Sequence, residues 1–173
     1  MLIRQGTMED AKEIGELYDK LCDYLDQTTN YPGWKKGIYP TIDDAIAGIK
    51  QNKLYVAVQN EEIIGTIILL HEHEDGYAMV KWQKELSDEK IYVIHTLAVH
   101  PNHLKDHVGT KLLRFAENLA RFNGMQAIRL DVVQDNLPAI QMYEKEGYAY
   151  IDTVDLGYSE YGIDWFQLYE KLL

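Results

Sequence analysis

Residues 92–121 constrain the fold of this 173-residue chain more than any other stretch. The segment YVIHTLAVHP is apolar and rich in β-branched residues, and NHLKDH is polar. The following VGTKLLRFAENLAR places Val108, Leu112, Phe115, Ala116 and Leu119 at helical spacing. A strand therefore runs through a tight loop into an amphipathic helix. The first amides of such a helix have no intrahelical acceptor, and the helix dipole adds to their attraction for an anion.

Upstream, residues 1–4 read as a short strand. Thr7, with Asp10 three positions on, opens a helix whose apolar positions Ala11, Ile14, Leu17, Tyr18, Leu21 and Leu25 recur at helical spacing. Residues 27–40 break that helix with Pro32, Gly33, Gly37 and Pro40. They also carry Tyr31, Trp34 and Tyr39, aromatic side chains that either pack on the core or wall a substrate pocket. Thr41 caps a second helix to about Lys50, with Asp43 and Asp44 in its first turn. LYVAVQN and IIGTIILLHEHE read as a hairpin turning at Glu61 and Glu62. Residues 75–90 read as a long polar loop or rim. After the central strand and helix come a strand over 126–133, a helix over 136–147 closed by its glycine, and strands over 148–155 and 164–172. The order is β-α-α-β-β-β-α-β-α-β-β, without internal repeats, and the length suits one domain over 1–173.

Charge and cysteine content narrow the function classes. Lys plus Arg number 17 against 28 Asp plus Glu, a formal balance of −11 with no long basic run, so a nucleic-acid partner is not expected. That balance keeps a protein soluble and could also concentrate a cationic substrate such as an amine. Cys22 is the single cysteine, which excludes an intrachain disulfide and points to a reducing, cytoplasmic setting. No apolar run suggests a signal peptide or a membrane span.

Two segments carry a family pattern. In the first, Val99, Pro101, Gly109, Leu112 and Leu113 fit strand, V-x-P, Q/R-x-x-G-x-G/A and a helix beginning x-x-L-L, although Leu104 replaces the usual Arg or Gln and His107 the first Gly. In the second, LDVVQDNLPAIQMYEKEGY matches N-x-x-A-x-x-x-Y-x-x-x-G-F/Y at Asn136, Ala139, Tyr143, Gly147 and Tyr148. The chain thereby resembles the GCN5-related N-acetyltransferases (GNAT). The resemblance covers essentially the whole chain and implies an α/β fold, a mixed and mostly antiparallel six- to seven-stranded sheet flanked by about four helices. Its central strands would splay to admit acetyl-CoA as cosubstrate.

The resemblance also implies roles. Amides across 105–110 (Lys105, His107, Val108, Gly109 and Thr110 among them) would hold the pyrophosphate, and Leu104 occupies the position of the lost polar residue. There Lys105 could replace its charge, and the His107 imidazole could donate to a phosphate or crowd it. The main chain of Leu97, Ala98 and Val99 would pair with the pantetheine arm as an added strand does, and Asn136 would hydrogen-bond the cofactor as well as capping its helix. H-T-L-A-V-H is similar to the H-x-L-A-V-H of arylalkylamine N-acetyltransferases, which makes His95 the general base, its ordinary pKa of ~6.5 suiting proton acceptance near neutrality. Tyr143 matches the general acid that protonates the departing thiolate. Tyr31, Trp34 and Tyr39 fall in the region that supplies the acceptor pocket.

Other constellations carry less. His71 and His73 with Glu72 and Glu74 look like a metal cluster, but on a strand the imidazoles share one face and the carboxylates the other, so no metal is expected. The expected protein is a single-domain acyl-CoA N-acyltransferase that moves acetyl directly to a primary amine of a small molecule or a peptide N-terminus. Cys22 lies far in sequence from both motifs, which disfavours a covalent relay. The alternative is a non-catalytic acyl-CoA binder or sensor, suggested by Leu104 and His107. A homodimer is a further expectation, through an exposed sheet edge near the tyrosine-rich C-terminal strands.

Overall fold

The computed structural model describes residues 1–173. The strands are β1 (Leu2–Gln5), β2 (Leu54–Gln59), β3 (Glu62–Leu70), β4 (Ile91–Val99), β5 (Ala127–Val133), β6 (Ala149–Val154) and β7 (Phe166–Leu172). The helices are α1 (Ala11–Asp26), α2 (Ile42–Lys50), α3 (Val108–Phe122) and α4 (Leu137–Lys145). Seven strands form one mixed sheet in the order β1-β2-β3-β4-β5-β7-β6, matching the expected fold class. The chain divides into two compact units. One comprises Met1–Asn30, Trp34–Leu69 and Thr96–Phe115, the other Tyr31–Gly33, Leu70–His95 and Ala116–Leu173.

In the first unit, β1 and β3 flank β2, both antiparallel to it. The β2–β3 hairpin turns on Asn60 and Glu61, at φ 51° and 67°, so the turn lies one residue earlier than Glu61–Glu62. Positive φ at both central residues is the twist-compatible two-residue hairpin turn, and Asn tolerates it well. The helical spacing read in α1 buries Ile14, Leu17, Tyr18, Leu21 and Leu25, and the Tyr18 hydroxyl meets Thr66 Oγ1 at 3.1 Å. At the start of α2, Asp44 Oδ2 accepts from the Thr41 N–H at 2.7 Å and from its hydroxyl at 2.8 Å, which ties off a helix terminus with free amides. Gly65 on β3 has no room for a side chain: a Cβ there would lie 2.9 Å from Val108 Cγ1 and 3.1 Å from the Ala98 carbonyl oxygen.

In the second unit, β5 pairs with β7 along its whole length and β7 with β6, both antiparallel. β4 and β5 pair in parallel from Ile91↔Ala127 to Ile94↔Leu130 and no further, although β4 runs on to Val99 and β5 to Val133. Residues 75–90 are not the polar rim their composition suggests. Tyr77, 1% exposed, joins Ile91, Val93 and Leu168 in a core cluster against which Val80, Trp82 and Leu86 pack. Beneath this segment Arg129 Nε donates to Glu170 Oε2 at 2.7 Å, and its guanidinium lies 4.0 Å from the centre of the Trp82 ring. The buried pair is completed by the Arg129 Nη2 bond to the Lys84 carbonyl and by the Gln83 N–H bond to Glu170 Oε1, which satisfy atoms that would otherwise be stranded.

Strand β3 ends at Leu70, so the expected strand through 71–74 does not form. The chain leaves the sheet because the His71 ring bonds the carbonyls of Asp88 and Ile91, and His73 stacks on Tyr77 with ring centres 5.2 Å apart. Side-chain bonds to a segment distant in sequence replace the strand ladder here.

Candidate active site

In the first unit, β4 closes at His100, whose N–H donates to the Ile64 carbonyl at 2.9 Å. Its Nδ1 accepts the Asn102 N–H at 3.2 Å, which starts a short 3-10 turn over Pro101–His103. The Asp106 N–H donates back to the His103 carbonyl at 3.1 Å, so that amide is withdrawn from the set expected to hold an anion. The amides of Lys105, His107, Val108, Gly109 and Thr110 have no acceptor within the chain and stand at the start of α3. His107 takes φ +56°, the left-handed conformation that glycine adopts freely. A histidine thus holds a backbone conformation that costs glycine nothing. Leu104 is 45% exposed and contributes no charge, whereas Lys105 and Lys111 supply cations, Lys111 Nζ bonding the Asp106 carbonyl at 3.2 Å. Gly65, lying against Val108 and Leu112, lets this helix start approach β3 closely.

In the same unit, Leu97 and Val99 are half-buried and Thr96 and Ala98 buried, as alternation on a strand requires. The Tyr39 hydroxyl meets Thr96 Oγ1 at 2.6 Å, and Trp34 stands edge-on to Tyr39 with ring centres 5.8 Å apart. Trp34 is held in turn by the Asn30 Nδ2 bond to its carbonyl at 2.7 Å. Tyr31 is exposed.

In the second unit, His95 is half-buried, with Nε2 2.8 Å from the Glu72 carbonyl oxygen. A carbonyl oxygen only accepts, so Nε2 carries the proton and Nδ1 of the neutral ring keeps a lone pair. Tyr143 on α4 is 7% exposed and set among Tyr148 and Tyr169, with ring centres 6.0 and 6.4 Å away. Burial, and then the negative charge of Asp131, push its hydroxyl pKa up, so it is a protonated donor at neutral pH. Asn136 caps α4, its Oδ1 accepting the Ala139 N–H at 3.4 Å, and Gly147 at φ +87° follows the end of that helix.

Asp131 was not singled out in the sequence, yet it is coupled to both residues: burial raises its pKa, the Tyr77 hydrogen bond and His95 pull the other way, and its own charge raises the pKa of Tyr143. Its Oδ2 accepts the Tyr77 hydroxyl at 2.7 Å. The one available signal is an acidic residue interrupting the apolar run of LDVV. His71 and His73, by contrast, are spent on backbone carbonyls and Asp88, and no three His, Cys, Asp or Glu side chains converge as a metal centre.

A model of the acetyltransferase (GNAT) family matches residues 16–148. The Bacillus subtilis uncharacterized N-acetyltransferase YesJ is 28% identical over 155 residues, 88% of this chain and 84% of the relative. The S-(2-succino)cysteine N-acetyltransferase of the same organism is 28% identical over 118 residues, 67% of this chain and 66% of that protein. Among solved structures, a GNAT-family acetyltransferase from Streptococcus agalactiae superposes with a TM-score of 0.82 at 19% identity, covering 99% of this chain and 95% of the other. The fold thus recurs where few side chains are shared. The family match spans both the helix start with its unpaired amides and the strand-helix segment that carries Tyr143. The chain is therefore a member of the acetyltransferase (GNAT) family, enzymes that use acetyl-CoA as cosubstrate.

Proposed function

We propose that the protein transfers acetyl from acetyl-CoA directly to a primary amine of a small molecule or peptide. The observation that carries this reading is the early end of β4–β5 pairing, with His95 the first β4 residue beyond it. The amides of Lys105, His107, Val108, Gly109 and Thr110 suit a pyrophosphate, which needs several converging donors at a positive helix end. Main-chain groups of Leu97, Ala98 and Val99 accompany the pantetheine arm, and Asn136 donates to it. Acetyl-CoA supplies an activated carbonyl and a thiolate leaving group.

As the amine nitrogen bonds to the carbonyl carbon, His95 Nδ1 takes a proton from that nitrogen, and a β4 N–H near Leu97 meets the negative charge gathering on the carbonyl oxygen. The C–S bond breaks with its electron pair on sulfur, which receives the Tyr143 hydroxyl proton. Solvent then returns a proton from His95 to Tyr143. A cysteine relay is unsupported: Cys22 is buried on α1, and burial pushes its thiol pKa up, away from a nucleophilic thiolate. The buried, unpaired thiol also suits a cytoplasmic enzyme. Trp34, Tyr39 and Tyr31 are the proposed aromatic lining for the acceptor. His95 and Tyr143, residues suited to taking and giving a proton, are what disfavour the binder-without-turnover alternative.

Calorimetry with CoA, followed by thiol-release assays over a panel of amines, tests the reading. CoA should bind and at least one amine should turn over, and His95→Gln should lower kcat about 100-fold or more while leaving the CoA Kd within about twofold. Absence of heat at millimolar CoA would sink the proposal.

A further inference from the structure

The geometry points to Asp131 as the residue that receives the acceptor's amino group as an ammonium ion and, with Glu74, selects simple amines over amino acids. This rests on the reading of the chain as an amine acetyltransferase and names the substrate class of that same site. The last paired position of the two central strands is Ile94↔Leu130, so His95 and Asp131 are each the first residue beyond it on their own strand. They are neighbours where the ladder stops.

The Asp131 carboxylate is fixed in place. Its Oδ2 accepts the Tyr77 hydroxyl at 2.7 Å, and Tyr77 is itself clamped between His73, stacked at 5.2 Å, and Trp82, at 5.3 Å. Burial raises the Asp131 pKa and Glu74 adds to that; the Tyr77 hydrogen bond and the nearby His95 act the other way without reversing it, so an arriving cation favours the ionised form. No Lys or Arg of the chain pairs with it. The obvious cation, Arg129, two residues earlier on the same strand face, is committed to Glu170 and to the Lys84 carbonyl. The Glu74 carboxylate accepts the Tyr158 hydroxyl at 2.9 Å and also lacks a cationic partner.

A carboxylate drawn from water without a countercharge is half of an ion pair, and a protonated primary amine supplies the other half. The ammonium first gives one proton to His95 Nδ1, which passes it to solvent; the lone pair so freed attacks, and the again-neutral His95 takes the second proton as the C–N bond forms. An α-carboxylate on the acceptor would meet Asp131 and Glu74 as like charges, with no arginine or lysine to offset them. The selection therefore runs against amino acids, in contrast to the relative named for S-(2-succino)cysteine.

The test compares phenethylamine and 1,4-diaminobutane with phenylalanine and S-(2-succino)cysteine as acceptors, at saturating acetyl-CoA, by thiol release. Wild-type protein should acetylate the better amine with kcat/KM about tenfold or more above either amino acid. Asp131→Asn should raise the KM for that amine about tenfold or more and leave the KM for acetyl-CoA within about twofold. Amine turnover with a KM indifferent to Asp131→Asn, or a preference for the amino acids, overturns this inference alone. Turnover of none of the four acceptors overturns this inference, while the reading beneath it falls only if CoA also gives no heat in calorimetry. If Asp131→Asn does not fold, the wild-type comparison still decides, since it needs no variant.

Discussion

His107 shows how one position can lose its usual residue and keep its geometry. Its φ of +56° costs a side-chain-bearing residue about 1–2 kcal/mol relative to the right-handed region, and glycine escapes that cost while adding freedom to the unfolded chain. His107→Gly should therefore stabilise the protein by about 0.5–1 kcal/mol, read as a higher midpoint in urea unfolding. A lower midpoint would mean that the imidazole itself makes a stabilising interaction. His95 and Tyr143 are candidates that a sequence can raise, because each stands at a fixed offset within a motif. Asp131 could not, because its interest lies in Tyr77 Oη, 54 residues away, and in the absence of a partnering cation, neither of which a linear pattern records.

At the scale of elements, legibility followed periodicity. The helices α2, α3 and α4 and the strands β2, β4 and β5 were read to within a residue or two, because each buries one regular face, whereas α1 begins at Ala11 with Asp10 as its cap rather than Thr7, whose N–H and hydroxyl donate to the Asp10 carboxylate. The segment 75–90 was misread because Tyr77 and Trp82 are anchors without periodicity: they reach the core through short 3-10 turns and a hydrogen bond from Trp82 Nε1 to the Tyr77 carbonyl. The end of β3 was missed for the same reason, since His71 takes its bonds from carbonyls far along the chain. Gly65 was visible only as one glycine within a strand, yet it governs how closely α3 begins against β3. Gly65→Ala should destabilise the fold by about 1–3 kcal/mol, because its Cβ would press on Val108 and on a carbonyl that cannot retreat cheaply. Loss of CoA affinity alongside that destabilisation would connect the packing to the phosphate turn, and an unchanged melting temperature would refute the packing argument.

For the molecule as a whole, the order of elements and the fold class were legible, and the division of the chain into two compact units was not. That division passes through β4 between His95 and Thr96, inside a segment that reads as one uninterrupted apolar strand. The net charge of −11 acts on the two substrates in opposite senses, attracting an ammonium acceptor and repelling polyanionic CoA. Raising salt from 50 to 500 mM should lower kcat/KM for a cationic amine about two- to tenfold without lowering that for acetyl-CoA, as the Debye length shrinks. Equal falls for both would show that the long-range field plays no part.

The outer strand β6 carries an irregularity between Tyr150 and Asp152, where its register with β7 shifts. A bulge twists the rim of a sheet and breaks the even row of donors and acceptors that another chain would need for growth by templating. A second sheet edge brought against this border would find no even row of partners to extend.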